Sequence, residues 1–386
     1  MSIKNRINRQ CPWISRVLKT VFTLSVVYFS VRLTISLLLL IMTGSGASGQ
    51  FAIPVSFGLG LSERYNNYIS NALSTAADGF IKIEKVYMLS DNNPVAPEPD
   101  QSKYATSENP EEVLAYLEGS RFSQDGSALL LKPDTKILKG SKITYYLDDT
   151  IQVVTWKEVI RHAVYTFSEI KIAHPSQFRR FLADNTFGSE RQYLTSQMSR
   201  SVNAVMASAG DFYKYRSEGI VVYNGKVERF NVNTLDTCFI DDQGDLILSK
   251  AKQFSSKEEV QKYVDDHNIR FSLCFGPIII EDGQTCVPKH YHIGEIYHDF
   301  SRAALCQLGQ LHYLVVTAND EKGYDAFPNL FVFTNVLHEL GIENAYTLDG
   351  GQTATIVMND QVINHVSYGA ERLISDILYF ATAIPD

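Results

Sequence analysis

Alternating apolar and polar positions predict a sheet-rich fold from about residue 119 to the end of the chain. Four segments read as hairpins because two strand-like runs flank a short turn signal; they are 145–156, 219–230, 238–248 and 275–284. The second has Asn224-Gly225 at its turn, and both residues accept the positive φ of a type I′ turn. Residues 311–317 form a continuous apolar run, which predicts a buried strand.

Two segments carry the signals of amphipathic helices. Residues 256–267 have a polar start and an acidic first turn, and residues 329–340 have one apolar face followed by Gly341, a residue typical of the position after a helix. Two short strands, 345–348 and 354–358, follow the second helix. The pattern predicts the α+β class, with a mixed, hairpin-rich β-sheet core and a few packed helices.

The N-terminal part predicts one transmembrane helix before this domain. Residues 21–42 are a run of 22, apolar except for Arg32 and a few hydroxyl residues, and that length can cross a bilayer. Arg32 opposes insertion by about 2.5–3.5 kcal/mol. Most basic residues before position 50 precede the run, so the positive-inside rule predicts a cytoplasmic segment 1–20 and a body outside the cytoplasm. A cleaved signal peptide is the alternative, and it also exports the body.

Composition divides the rest of the chain into a linker and a domain. Residues 43–118 are predicted as a Gly- and Ser-rich stalk and a Pro-rich linker, and residues 119–386 as the folded domain.

Beyond position 50 the chain holds 43 acidic and 29 basic side chains, which argues against a nucleic-acid partner but not against one phosphate site. Two disulfides or free thiols are both open for the cysteines of the domain, which are Cys238, Cys274, Cys286 and Cys306.

The sequence Asp349-Gly350-Gly351, followed by Gln352-Thr353, is the most informative motif. Asp349 ends an apolar run, and the glycines permit positive φ and close backbone approach. The motif predicts a carboxylate at the tip of a strand, beside N–H groups that suit a phosphate or a sugar hydroxyl. A plain turn with a solvated Asp349 is the alternative.

Six segments together match the pattern of a known family. In chain order they are 203–213, 219–229, 275–283, 301–304, 315–320 and 348–351. They resemble the phosphodiester glycosidase family, the relatives of the lysosomal uncovering enzyme that removes N-acetylglucosamine from a phosphodiester on mannose. The resemblance runs from about Asn203 to the C-terminus. Many members continue Asp-Gly-Gly with Gly-Ser, whereas this chain has Gln352-Thr353, so the resemblance leaves the substrate open.

The resemblance implies a hydrolase that cleaves a sugar-1-phosphodiester in a glycan or cell-envelope polymer. Cleavage at the anomeric carbon needs carboxylates near the sugar and cations or N–H groups on the phosphate. The catalytic candidates are therefore Asp349, Asp211 and Asp320. The substrate-binding candidates are Arg302 as the phosphate clamp, with Gly350, Gly351, Thr353, Glu371 and Arg372. Glu371 and Arg372 are also explained by a structural ion pair.

Other chemistries have weaker support. Alternation would place His290 and His292 on one face of a strand, an arrangement that metal sites use, although the other ligands are unassigned. No cofactor is therefore predicted firmly, and a divalent metal stays open. Two other functions compete with glycoside hydrolysis: a catalytically weak glycan-binding module for exopolysaccharide assembly, and a phosphodiesterase that attacks phosphorus with the help of a metal or a strong nucleophile.

Overall fold

The computed structural model describes residues 89, 93–123, 128–231, 234–292 and 295–383. They belong to the unit Lys85–Asp386, one of two into which the chain divides. The predicted cytoplasmic segment and anchor lie outside the described residues. No helix of the described ranges combines the length and apolar character needed to cross a membrane.

The described residues contain nineteen strands and four α-helices. The strands are β1 (Tyr104–Ser107), β2 (Ile143–Leu147), β3 (Ile151–Ile160), β4 (Ala163–Ile172), β5 (Phe178–Leu182), β6 (Met206–Ala209), β7 (Gly219–Tyr223), β8 (Lys226–Asn231), β9 (Thr237–Ile240), β10 (Leu246–Ser249), β11 (Phe271–Leu273), β12 (Ile278–Glu281), β13 (Gln284–Thr285), β14 (Arg302–Gly309), β15 (His312–Asn319), β16 (Asn344–Leu348), β17 (Ile356–Met358), β18 (Gln361–Val362) and β19 (Asp376–Phe380). The helices are α1 (Pro110–Glu118), α2 (Thr195–Ser201), α3 (Lys257–Asp266) and α4 (Leu330–Glu339).

The strands form three sheets, and every strand pair among the described residues is antiparallel. The large sheet has nine strands in the order β1-β2-β3-β4-β15-β14-β16-β12-β13. The two smaller sheets have five strands each, in the orders β10-β9-β11-β7-β8 and β18-β17-β6-β19-β5. The longest pairing, between β3 and β4, runs from Ile151 opposite Ile172 to Ile160 opposite Ala163. This architecture confirms the α+β class.

The hydrophobic core lies in layers on both faces of the large sheet. On one face, side chains such as Val153, Leu305 and Tyr346 pack against both small sheets. On the other face, the large sheet packs against α1 and α4. The outer faces of the small sheets are covered by α2 in one case and by α3 in the other. Because the large sheet is buried on both faces, its central strands read as continuous apolar runs.

The predicted hairpins and helices are present. The Asn224-Gly225 turn between β7 and β8 has positive φ at both residues, 48° and 75°, as a type I′ turn requires. Helix α3 follows Ser256, whose side chain caps it by accepting a hydrogen bond from the Glu259 N–H. Helix α4 follows Asn329, which caps it in the same way. These elements were predictable because their signals are local.

The linker prediction was wrong at its C-terminal end. Strand β1 pairs with β2 at the edge of the large sheet, and α1 packs on the core beside it. Pro110 occupies the first turn of α1 after an Asn109 cap, where a proline is favourable because that N–H needs no partner. Residues 119–202 form part of the same sheets as the segment from residue 203 onward, because β4 pairs with β15 and β5 pairs with β19.

Candidate active site

Polar residues gather at one end of three neighbouring strands in the large sheet. Strands β15 and β16 both pair with β14 in antiparallel register, so their C-terminal ends lie beside the N-terminal end of β14. The residues just beyond these strand ends are Asp320, Asp349 and Ser301. The antiparallel pairing therefore brings together groups that lie almost 50 residues apart in sequence.

The turn after β16 is held against the start of β14. The Gly351 N–H donates to the Ser301 carbonyl at 2.8 Å, and a Cβ on Gly350 would collide with the same carbonyl oxygen. Gly351 has φ +60°, which glycine adopts without strain. The Thr353 hydroxyl donates to the Gly350 carbonyl at 2.6 Å. The Gly351 amide and the Thr353 hydroxyl thus have partners within the protein and build the turn that presents Asp349.

Asp349 lies in the turn directly after β16, at the same end of the sheet as Ser301 and Asp320. The residue keeps some exposed surface, yet burial raises the pKa of its carboxyl to about 6. The Thr353 hydroxyl and the charges of Arg372 and Arg216 act in the opposite direction, while the charge of Asp211 adds to the rise. A carboxyl that titrates near neutral pH beside specific charges is typical of a functional site.

Two guanidinium groups are held beside Asp349 by aromatic rings. The Arg372 Cζ lies 5.4 Å from the ring centroid of Phe212, and the Arg216 Cζ lies 5.1 Å from the same centroid. Arg216 also lies over Phe275 at 4.5 Å and donates to the Phe275 carbonyl at 3.4 Å. Arg372 makes no hydrogen bond or ion pair with any other described residue, so its N–H donors remain available for a ligand.

Asp211 belongs to a buried ion cluster behind Asp349. Its carboxylate lies 3.6 Å from Arg180 Nη2, Arg180 Nε donates to Asp376 at 2.8 Å, and all three side chains are inaccessible to solvent. The Asp211 carboxylate also accepts the N–H groups of Phe212 at 2.7 Å and Cys274 at 2.6 Å. Both of its oxygens are therefore engaged in holding the backbone beside Asp349.

The cluster holds one cation between two carboxyl groups. Burial raises the pKa of Asp376; the Arg180 charge opposes this and the Asp211 charge adds to it. Burial alone would lower the pKa of Arg180, but the two carboxylates outweigh it and the net shift is upward. Removing Arg180 would leave two buried carboxyl groups without a cation, which is strongly destabilising.

Asp320 is connected to the Asp349 turn by a chain of hydrogen bonds. The Asp320 carboxylate lies 3.6 Å from His365 Nδ1 and accepts a 3.4 Å hydrogen bond from the Ser367 hydroxyl. The hydroxyls of Ser367 and Ser301 are 2.6 Å apart, and the Ser301 carbonyl accepts the Gly351 N–H. Asp320 is thus a second carboxylate on the same edge, paired with a histidine.

A family model described as phosphodiester glycosidase matches residues 202–381. Over these residues the chain is similar to the phosphodiester glycosidase family. The match includes Asp349, Asp211, Asp320 and both arginines beside Asp349. The resemblance seen in the sequence is confirmed. Comparison with curated proteins gives no match.

Two solved structures are similar to the chain at low identity. A hypothetical protein from Synechocystis has 12% identity and a TM-score of 0.49, with 64% of each chain covered, so less than two thirds of that protein is spanned. The zebrafish N-acetylglucosamine-1-phosphodiester alpha-N-acetylglucosaminidase catalytic domain, auto-inhibited by its pro-peptide, has 13% identity and a TM-score of 0.47; 72% of this chain and 88% of that chain are covered. Likenesses of this size say nothing about substrate or mechanism.

Within residues 202–381, Arg302 is bound to protein backbone. Its guanidinium donates to the carbonyls of Pro328 at 3.3 Å, Glu295 at 3.0 Å and His298. Burial lowers the pKa of Arg302 to about 10, while the neighbouring carboxylates of Asp299 and Glu295 oppose the shift. The arginines whose charges act on Asp349 are Arg216 and Arg372. The phosphate-clamp role predicted for Arg302 therefore gains no geometric support.

The side chains of Glu371 and Arg372 contact different parts of the protein, Ser196 in α2 and Phe212 beside Asp349 respectively. The Glu371 carboxylate accepts the Ser196 N–H at 2.9 Å and the Ser196 hydroxyl at 2.6 Å, so it caps the start of α2. Arg372 stacks on Phe212 beside Asp349. The described contacts include no ion pair between the two, and Arg372 alone is placed to bind substrate.

Sequence reasoning missed Arg216, Phe212 and Arg180. Arg216 and Phe212 lie in a loop without periodicity, and their importance arises from contacts with distant segments. Arg180 did leave a signal, because a charged residue inside the apolar strand β5 requires a buried partner.

The histidine prediction was wrong in its geometry. His290 and His292 lie outside any strand and line a polar cavity of about 300 Å³ with Lys250 and Cys286. The described ranges contain no group of three or more His, Cys, Asp or Glu residues arranged to hold a metal ion. The sequence left disulfides and free thiols open for the cysteines of the domain. In the structure Cys238, Cys274, Cys286 and Cys306 are all free thiols.

Proposed function

We propose that the chain is a hydrolase that cleaves a sugar-1-phosphodiester between the anomeric carbon and its oxygen. Asp349 acts at the sugar, while Arg216 and Arg372 hold the phosphodiester. The observation that carries the proposal is the placement of two guanidinium groups beside one partly buried carboxyl, with Arg372 making no hydrogen bond to any described residue. The family match over residues 202–381 supports it independently.

The geometry suits the charges that develop in this reaction. Positive charge forms on the sugar as the bond breaks, and an ionised Asp349 stabilises it or attacks the anomeric carbon. Negative charge forms on the departing phosphate, and a guanidinium binds two phosphate oxygens at once. A phosphate leaves readily, so the site needs no strong general acid.

The other two predicted carboxylates take different roles in the proposal. Asp211 is a positioning residue, because its oxygens are bound to Arg180 and to the backbone of Phe212 and Cys274. Asp320 is the second carboxylate of the site, and His365 lies beside it, with Nδ1 hydrogen-bonded to the Asp320 backbone carbonyl at 2.8 Å.

We further propose that the domain acts outside the cytoplasm, on a glycan or cell-envelope polymer, and is tethered by residues 21–42. The apolar run and the basic residues before it support this topology. Protease added to intact cells should digest the domain while leaving the first 20 residues protected. Protection of the domain in intact cells would overturn the proposed topology.

The catalytic proposal is tested with the full-length chain, purified in detergent, and the methyl phosphodiester of α-linked N-acetylglucosamine-1-phosphate. Unmodified protein should release the free sugar, and Asp349→Asn should lose at least 10³-fold in kcat. Asp282→Asn is the matched control, because that aspartate lies in the β12–β13 turn. Full activity of Asp349→Asn would refute the assignment. Saturable glycan binding without hydrolysis, across a panel of sugars, would favour the glycan-binding module instead.

A further inference from the structure

Tyr368 holds its side chain in solvent with a backbone that tyrosine rarely adopts. The residue is 89% exposed and has φ 65° and ψ 11°, in the left-handed region. This region costs an L-residue roughly 1–2 kcal/mol relative to the right-handed one. Strained residues of this kind persist where the surrounding structure imposes them, and they cluster at sites that clamp ligands.

The turn that carries Tyr368 is fixed to the Asp349 turn. The two 3₁₀ turns, Ser367–Gly369 and Gly351–Thr353, pack against each other. The buried Ser367 hydroxyl bonds to the Ser301 hydroxyl at 2.6 Å, and Gln352 Nε2 donates to the Ala370 carbonyl at 2.9 Å. Tyr368 therefore lies next to the Asp349 turn, on a turn anchored at both of its ends.

A second exposed tyrosine lies beside Arg372 on another segment. Tyr215 is 44% exposed and stacks on Phe212, with ring centroids 4.5 Å apart and an interplanar angle of 23°. The Arg372 Cζ lies 5.1 Å from the Tyr215 ring centroid. The exposed ring is thus continuous with the guanidinium group that binds the phosphate in the proposed function.

We propose that Tyr368 and Tyr215 form an aromatic rim that stacks on sugar units next to the scissile linkage, so that the substrate is an oligomer or polymer of sugars. Tyrosine offers a large, rigid, amphipathic surface at low conformational-entropy cost, which suits the apolar faces and hydroxylated edges of sugars. A single sugar phosphodiester held by Asp349 and Arg372 has no second sugar unit to stack on these rings. The inference rests on the proposed function and adds the length of the substrate to it.

The test compares a short and a long substrate with the full-length chain in detergent. The short one is the methyl phosphodiester of α-linked N-acetylglucosamine-1-phosphate, and the long one is a tetramer of the same unit joined by sugar-1-phosphodiesters. Tyr368→Ala should lower kcat/KM for the tetramer about 10-fold, through KM, and change it less than 2-fold for the short substrate. Tyr215→Ala should lower kcat/KM for both substrates, because its ring also stacks on Arg372, but about 10-fold more for the tetramer. Equal effects on both substrates, or none, would overturn the inference.

Two further variants separate the rim from folding and from general surface effects. Tyr116→Ala is the matched control: Tyr116 is 47% exposed, but it lies on α1 beside the opposite end of the large sheet, and both rates should be unchanged. Tyr368→Gly relaxes the left-handed backbone, so it should raise the Tm and still lower kcat/KM for the tetramer about 10-fold. A Tyr368→Gly variant with an unchanged kcat/KM for the tetramer would contradict the rim.

Failure of the rim and failure of the proposed function give different results. If the unmodified chain hydrolyses neither substrate, the hydrolase proposal fails, and tetramer binding measured by titration calorimetry then tests the rim alone. The rim predicts about 10-fold weaker tetramer binding by Tyr368→Ala than by the unmodified chain. Equal binding by the two proteins, or no binding by either, would overturn it.

Discussion

Replacing Asp349 with asparagine should make the folded chain inactive and also more stable at neutral pH. Burial raises the pKa of this carboxyl from its ordinary value of 3.8 to about 6. The folded state therefore binds more protons than the unfolded state between about pH 4 and pH 6. Because of this, the free energy of unfolding decreases as the pH rises through that window and stays lower above it. Asparagine carries no charge and removes this cost.

The size of the effect follows from the same values. A pKa of about 6 instead of 3.8 corresponds to about 3 kcal/mol between the two protonation states. The residue keeps part of its surface in water, which reduces the gain to roughly 1–2 kcal/mol. In a domain of this size, that should raise the Tm by roughly 2–5 °C.

Thermal unfolding of the full-length chain in detergent, at pH 7.5 and at pH 4, measures this effect. Asp349→Asn should melt higher than the unmodified chain at pH 7.5, and the difference should shrink at pH 4, where the carboxyl is protonated in the folded state. Asp282→Asn is the contrast, because that aspartate is exposed in the β12–β13 turn, and its Tm should equal that of the unmodified chain at both pH values. A lower Tm for Asp349→Asn at pH 7.5, or an equal gain at both pH values, would refute the reasoning.

Four further outcomes are expected from the same geometry. In the unmodified chain, kcat/KM for the methyl phosphodiester should rise with pH through about 6 and then level off, as Asp349 ionises; a profile that falls through this window would contradict an ionised Asp349. Arg372→Lys should lose about 10- to 100-fold in kcat/KM because lysine cannot bind two phosphate oxygens in a fork, whereas Arg302→Lys should stay within about 3-fold; the reverse order would restore Arg302 as the clamp. Arg180→Met leaves two buried carboxyl groups without a cation and should cost about 3–5 kcal/mol of stability, seen as a lower Tm or a loss of folded protein; an unchanged Tm would contradict the buried cluster. Gly350→Ala should disturb the turn through its clash with the Ser301 carbonyl and lower kcat at least 10-fold; normal turnover would contradict the close approach.

The sequence predicted the elements whose signals are local. The β7–β8 hairpin follows from Asn224-Gly225, and α4 follows from its Asn329 cap and its apolar face. The sequence misplaced β1 and α1, because prolines and polar residues near position 110 look like a linker until the sheet edge they cover is known. The strength of a local signal therefore sets what can be predicted without tertiary contacts.

The site was predictable in part for the same reason. Asp349 lies in a motif whose glycines prescribe a turn, so its position at a strand tip could be derived. Arg302 was a reasonable candidate by position, but its side chain binds backbone carbonyls that the sequence does not place nearby. Arg216 and Phe212 became visible only when the loop after β6 was brought beside Asp349 by tertiary packing.

The most direct test of the central claim is the position of oxygen-18 in the products of hydrolysis in ¹⁸O-water. The full-length chain is incubated with the methyl phosphodiester of α-linked N-acetylglucosamine-1-phosphate, and both products are examined by mass spectrometry. Cleavage at the anomeric carbon, with Asp349 at the sugar and Arg372 at the phosphate, predicts that the label enters the sugar. Label in the phosphate product would show attack at phosphorus and would contradict the account.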